Sequence, residues 1–421
     1  MSLTIRILLA LLVGLAAGAA LAATGVQALP TILSVAQPIG ALWLDALRMT
    51  IVPLVFSLIV TGVVSAAGAA QAGGITARAL FLFALFLLGA GVFSALATPA
   101  FLAMWPIPAG AAEAFRGGLS SAAAMPSEIP PFQEWLKQIV PSNPVGAAAE
   151  GAMLPLVMFA LVFGFALSRI EPQLRERLSG VFEAIVQTML TIVHWVLLAA
   201  PIGIFALALG VGARSGLGAA GALLHYVVLI SAVCIGVTLC LYVGIALFSK
   251  VSVRALAKAA APAQVVAFST QSSLASLPAM VEGARHHLGV PQSLSNLVLP
   301  LAVSLFRITS PAANLGVALY LTYLFDIEVS IFQIAAAVAV AAVVSLASVG
   351  LPSQVSFFSV VAPVCLTLGA PIEMLGLLIA VETIPDIFRT VGNVTGDVAV
   401  TGVAAVVPGA SSAEGNPASD K

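Results

Sequence analysis

Charge is what this chain has least of. Asp, Glu, Lys and Arg make up 8% of its 421 residues, against about 25% in a soluble domain. Together with 61% hydrophobic residues and a mean hydropathy of +1.14, that excludes a soluble enzyme. Cysteine is scarce as well. Cys234, Cys240 and Cys365 lie in apolar stretches without CxxC or metal-ligand spacing, which predicts buried small hydrophobes and no disulfide framework. The four histidines, His194, His225, His286 and His287, form no metal spacing either. The few charges nearly cancel, 16 basic against 17 acidic. No Lys/Arg cluster is dense enough to follow a phosphate backbone, so nucleic acid is not a partner.

What the chain has instead is uninterrupted apolar sequence. Runs of about 20 residues need a solvent in which backbone groups bond internally, so they predict an all-α polytopic membrane protein. Apolar segments fall at about 4–23, 37–68, 79–105, 148–168, 180–211, 218–249, 255–284, 293–325, 329–370 and 371–408. The first, despite its signal-like Ala20–Ala23, is expected to be an uncleaved span. The Pro-rich stretch 106–147 is expected to be an extracellular loop, and 409–421 a Gly/Ser/Ala tail.

Basic residues set the orientation, because short loops rich in Lys and Arg stay cytoplasmic. Arg6, Arg78, Arg169, Arg175, Arg177, Lys250, Arg254, Lys258, Arg285 and Lys421 share one side if the first six segments each cross once; Arg116, Lys137 and Arg214 take the other. The chain is therefore expected in a cell (inner) membrane with both termini cytoplasmic.

Two segments do not behave as simple spans. Crossing between Lys258 and Arg285 would break the charge pattern, and the middle reads Ser269-Thr-Gln-Ser-Ser-Leu-Ala-Ser-Leu-Pro278, which predicts a re-entrant hairpin from inside. Between Glu328 and Glu373 the chain is too long for one span and is interrupted by Ser348-Val-Gly-Leu-Pro-Ser-Gln354, which predicts a hairpin from outside. Irregular backbone at membrane depth needs protein or a water-filled cavity around it, and paired interrupted segments in two halves mark transporter sites. Segments 255–325 and 329–408, each a hairpin followed by a span, thus form an inverted repeat, within a chain expected to hold eight membrane helices and two re-entrant hairpins in all.

The last span holds Glu382, Asp386, Arg389, Asn393 and Asp397, which as one continuous helix would occupy an arc of roughly 80°. Each charge at bilayer depth costs from about 2.5 kcal/mol upward, so such groups face an interior. A structural network with Asp386 pairing Arg389 at i, i+3 is one reading. The functional reading gives Arg389 to a substrate carboxylate through its planar fork and Asp386 to a substrate ammonium. Asn393 and Asp397 offer oxygens to sodium, as metal ligands, or to a proton, and Asn393 serves equally as an interhelical hydrogen-bonding group. Ser272, Ser273 and Ser276 could present hydroxyls to an anion or simply pack a tight turn. Pro385 should kink the helix and free the carbonyl of Val381.

These residues resemble the dicarboxylate/amino acid:cation symporter family, the glutamate transporter homologues. The family pattern Asp-x-x-Arg-Thr-x-x-Asn-x-x-x-Asp stands here as Asp386-Ile-Phe-Arg389-Thr390-Val-Gly-Asn393-Val-Thr-Gly-Asp397. Ser272-Ser273 with Leu277-Pro278 matches the first hairpin and Gly350-Leu351-Pro352 the second; Pro53, Asn143-Pro144 and Ala200-Pro-Ile-Gly203 add support. The resemblance implies an elevator-type homotrimer. Its scaffold helices come from 1–78 and 148–215, and its transport domain from 79–105 and 216–408.

The resemblance further implies a symporter for aspartate, glutamate or related dicarboxylates, coupled to sodium or a proton and using no organic cofactor. Substrate would contact Ser272, Ser273, Ser310, Gly350, Pro352, Asp386, Arg389, Thr390 and Asn393, and coupling would involve Asn393, Asp397, Glu382 and Arg307. The acid at Asp386 favours an amino acid over succinate. An amine-free C4-dicarboxylate transporter, an uncoupled exchanger and an anion channel remain alternatives.

One stretch departs from the family. Its Asn-Met-Asp-Gly-Thr is here Phe306-Arg307-Ile308-Thr309-Ser310, and its Thr-Ser pair in the third segment falls on Gly89-Ala90. Sodium sites built on those side chains are therefore expected to be missing. Arg307, about ten residues inside a span, either needs an acid, with Asp397 or Glu382 the expected partner, or snorkels to a nearer interface.

Overall fold

The computed structural model describes residues 3–107, 139–347 and 353–406 apart from Ala72 and Leu217, together with positions 133, 136 and 137. Among the described residues there are helices and turns but no strand. Six helical stretches are long and apolar enough to cross a membrane. They are α1 (Leu3–Ala23), α2 (Leu29–Arg48) continued by α3 (Ile51–Gln71), α4 (Gly74–Met104), α7 (Pro172–Leu198), α9 (Gly218–Phe248), and α12 (Gln292–Leu305) continued by α13 (Thr309–Leu324). Between α4 and α7 lie α5 (Pro144–Ala149) and α6 (Met153–Leu167), and α8 (Ala200–Ser215) follows α7. This is an all-α polytopic membrane protein.

Several expected single spans are broken, each where the backbone loses a donor or gains an outside partner. The segment expected at 180–211 becomes α7 and α8, which part at Ala199 with Pro201 in the first turn of α8, where its missing N–H costs nothing. The segment at 293–325 is interrupted at Phe306, whose backbone is extended (φ −114°, ψ 107°). The last segment begins with a 3₁₀ turn (Ile372–Met374) and the short α16 (Leu375–Leu378), passes through a turn at 379–382, and resumes as α17 (Thr383–Val406). Pro385 therefore does not kink a running helix. It lies in the first turn of a new one, the position where proline is pre-organised.

Two helix pairs fold back on themselves. In the first, α10 (Val253–Thr270) and α11 (Ser273–Leu288) pack side by side, and the reversal is made at Gln271 in the left-handed region (φ 53°). In the second, α14 (Ile331–Ala347) packs on α15 (Ser353–Leu368). Its tip, including Gly350 and Pro352, lies outside the described residues, as do most of 106–147 and all of 409–421.

The packing surrounds α17. It is contacted by α4, α9, α10, α11, α12 and α13, so its polar row faces protein and not lipid. Away from it, α1 and α2 pack on α8, and α3 packs on α6 and α7. The second hairpin bridges the two groups by touching α3 and α6, and Arg48 at the end of α2 is ion-paired with Glu373 in the 3₁₀ turn before α16. Large apolar side chains such as Phe81, Leu96, Leu224, Leu239 and Phe248 point outward from spans, as a hydrocarbon solvent permits. Cys234 and Cys365 are buried as expected, but Cys240 is not: it lies on an outward face of α9, where a thiol costs little against lipid.

Candidate functional site

The site forms where three breaks meet: the start of α17, the gap between α12 and α13, and the tip of the first hairpin. Gln271, at that tip, donates through Nε2 to the carbonyl of Thr383, 3.2 Å away, satisfying one end of the α17 break. Lower on the same hairpin, Gln264 Nε2 donates to the Thr395 hydroxyl at 2.8 Å. Ser272 acts as the N-cap of α11, accepting from the Ala275 N–H at 3.2 Å, and its carbonyl accepts from the Ser276 hydroxyl at 3.0 Å. Ser272 and Ser273 therefore sit at the tip, with the Ser272 hydroxyl engaged in capping.

The gap between α12 and α13 is sealed by α17. Asn393 Oδ1 accepts from the backbone N–H of Thr309 at 3.0 Å, and the Thr309 hydroxyl stands 2.8 Å from both that oxygen and the Arg389 carbonyl. An interhelical hydrogen-bonding role for Asn393 is thus realised in the structure, and its side-chain oxygen already holds the N-terminus of α13. The close approach depends on glycine: a Cβ at Gly392 would lie 2.4 Å from Thr309 Cγ2, and one at Gly396 would lie 2.8 Å from Ile308 Cγ2. Ser310 and Thr390 are buried nearby.

Glu382 and Arg389 occupy the centre. Glu382 is fully buried, and its two oxygens are both taken: Oε1 by Arg389 Nη2 at 2.7 Å, Oε2 by the Tyr226 hydroxyl at 2.6 Å. Arg389 also reaches Asn314 Oδ1 at 3.4 Å. The structural reading paired Arg389 with Asp386 at i, i+3; the ion pair that Arg389 makes is with Glu382, seven residues earlier, while Asp386 also acts on its charge. The reason is the turn at 379–382: Glu382 precedes the helix, so it is not on the helical stripe and can fold back onto Arg389. Asp386 is buried one turn into α17.

Of the two acids expected to meet Arg307, Glu382 is therefore occupied. Arg307 stands in the α12–α13 gap within electrostatic reach of Asp386 and Asp397. Asp397 is fully buried, and neither of its oxygens accepts a hydrogen bond. The residues flanking Arg307 are apolar. Phe306 stacks on Phe83 with centroids 4.7 Å apart, and Phe306 and Ile308 are both buried. Two hydroxyls that α4 does supply lie one and two turns beyond Gly89-Ala90: Ser94 donates to the Ala312 carbonyl at 2.7 Å and stands 3.1 Å from Thr98 Oγ1. Among the described residues no group of three His, Cys, Asp or Glu side chains converges as a metal cluster.

Tyr226, Gln271, Thr309 and Asn314 do not stand out in the sequence. Tyr226 carried a signal nonetheless. A tyrosine inside an apolar span needs a partner for its hydroxyl, and the chain has only four tyrosines.

Comparison with known proteins bears on the same residues. A family model described as the sodium:dicarboxylate symporter family matches residues 3–407. The chain is 28% identical over 371 residues to a proton/glutamate-aspartate symporter of Escherichia coli (strain K12), covering 87% of this chain and 84% of the relative. It is 28% identical over 390 residues to a proton/sodium-glutamate symport protein of Bacillus subtilis (strain 168), covering 89% and 85%. A C4-dicarboxylate transport protein of Deinococcus radiodurans matches at 27% over 331 residues, covering 76% and 68%.

Proposed function

The chain belongs to the sodium:dicarboxylate symporter family, and on that premise we propose that it is a secondary active symporter, not an enzyme, moving aspartate or glutamate together with a cation. The observation that carries this reading is the buried Arg389, whose guanidinium grips an internal carboxylate, Glu382, at 2.7 Å beside the tip of a helical hairpin. A substrate carboxylate of the same chemistry competes for that fork. Asp386, one turn from Arg389, takes the substrate ammonium. Thr390 orients the bound molecule, Asn393 holds α13 in place behind it, and Ser272, Ser273 and Ser310 close the site from the first hairpin and α13.

Binding by displacement supplies the coupling. Once substrate holds Arg389, Glu382 keeps Tyr226 but loses its cation, and a buried acid in that state requires a proton or a metal cation nearby. We further propose, from the family resemblance and the distribution of basic residues, a homotrimer in a cell inner membrane with cytoplasmic termini. α1, α2, α3 and α5–α8 form the scaffold, and α4 with everything from α9 onward forms the moving transport domain. The packing of α1 and α2 on α8, and of α3 on α6 and α7, supports this division.

A second reading has its own support: Asp386 lies in the field of Arg307, which would neutralise it and leave a site for dicarboxylates without an amine. Uptake of labelled aspartate into proteoliposomes tests both. Accumulation driven by a sodium or pH gradient is the expected result. Equilibration without accumulation would identify a passive channel and overturn the proposal, and strong competition by succinate would favour the second reading.

A further inference from the structure

Arg307 is left unused by the displacement mechanism, and its surroundings give it a role. Its Nε is buried without a hydrogen-bond partner, and Asp397, fully buried on α17, has no partner on either oxygen. The two belong to elements that are locked together. Thr309, two residues after Arg307, is hydrogen-bonded to Asn393, and Gly396, beside Asp397, lies against Phe306 and Ile308 on either side of Arg307. Arg307 acts electrostatically on Asp397 and on Asp386 alike. Phe306 and Ile308, on either side of Arg307, are apolar and buried, so this stretch offers Asp397 no charge other than the guanidinium.

Charge counting turns that placement into a consequence. The site holds three buried acids, Glu382, Asp386 and Asp397, and two guanidinium groups, the buried Arg389 and the half-buried Arg307, leaving one net negative charge. An acidic amino acid adds another, so a neutral loaded domain takes up two monovalent cations. Without Arg307 the same domain needs three. Net charge carried through hydrocarbon is costly enough that this balance governs crossing.

We propose that Arg307, whose chain neighbours pack against the Asp397 turn of α17, is a built-in counter-cation of the transport domain that takes the place of one co-transported cation and lowers the coupling number by one. This rests on the symporter reading above for its transport consequence, but not for its effect on cation binding by the protein itself.

The test compares wild type with Arg307→Gln, Arg307→Lys and Arg307→Gln/Asp397→Asn. In proteoliposomes, the voltage at which opposed aspartate and cation gradients give no net flux reports cations per substrate. Arg307→Gln is expected to raise that number by one, and the lysine and double variants to keep the wild-type value. Independently of transport, the melting midpoint of purified protein is followed in two arms: sodium titrated against choline, and pH titrated at fixed sodium. Arg307→Gln should depend more steeply than wild type on one of the two cations, by one further bound ion, and the other variants should not.

An unchanged coupling number or slope in Arg307→Gln overturns the proposal, as does a raised one in Arg307→Lys. If Arg307→Gln does not fold, the double variant decides: folding with wild-type slopes supports charge balance, and failure to fold shows that Arg307 is needed for packing and overturns it. A wild type that neither transports nor binds aspartate removes the symporter reading while the melting slopes still judge Arg307.

Discussion

Replacing Glu382 with Gln keeps the volume and one carbonyl oxygen but removes the charge that holds Arg389. In the substrate-free protein this leaves a buried guanidinium whose acid was 2.7 Å away. Breaking one side of a buried pair costs about 3–5 kcal/mol, and the retained amide oxygen argues for the lower end, about 3 kcal/mol. A bound substrate carboxylate restores the missing partner and recovers most of that loss. At about 1.4 kcal/mol per tenfold, aspartate should then bind roughly 100-fold more tightly than to wild type, because it no longer competes with an internal acid. The assay is the melting midpoint of purified protein with and without aspartate, with calorimetric titration for the affinity. The substrate-free midpoint should fall and the aspartate-induced rise should exceed that of wild type. In proteoliposomes, exchange of aspartate across the membrane should persist while net uptake fails, since the unloaded domain must return with Arg389 unpaired. A variant as stable as wild type, with an equal or smaller response to aspartate, would refute the displacement mechanism.

Three further perturbations follow from the same geometry. Tyr226→Phe removes the 2.6 Å donor to Glu382; chemical denaturation should show a loss of about 1.5–3 kcal/mol, and combined with Glu382→Gln the two losses should be strongly non-additive. Gly392→Ala forces a Cβ against Thr309 and Thr238; a loss of about 1–3 kcal/mol with weakened aspartate binding is expected from overpacking, and unaltered binding would mean that the α12–α13 gap does not depend on this approach. Glu373→Gln breaks the pair with Arg48, which is partly exposed on both sides, so stability should change by under about 1 kcal/mol while the uptake rate changes, because the pair joins the proposed scaffold to the proposed moving domain.

Why some of this was legible in the sequence and some was not comes down to which interactions are local. Apolar runs and the positions of hairpin midpoints depend on composition over about 20 residues, and α10–α11 and α14–α15 fall where Ser269–Pro278 and Ser348–Gln354 interrupt those runs. The row Asp386, Arg389, Asn393 and Asp397 was legible because α17 is one continuous helix over those positions and preserves its period. Glu382 was misplaced for the complementary reason. Periodicity extends a helix until a breaker appears, and nothing before Pro385 announces that the chain leaves the helix at 379–382. The interactions that close the site span large separations: Tyr226 to Glu382 crosses 156 residues, Gln271 to Thr383 crosses 112, and Thr309 to Asn393 crosses 84. No local pattern encodes such pairings. They arise because three segments with unsatisfied backbone groups in an apolar solvent have only one another to bond, and that shared deficit gathers Arg307, the buried Arg389 and three buried acids into one cluster.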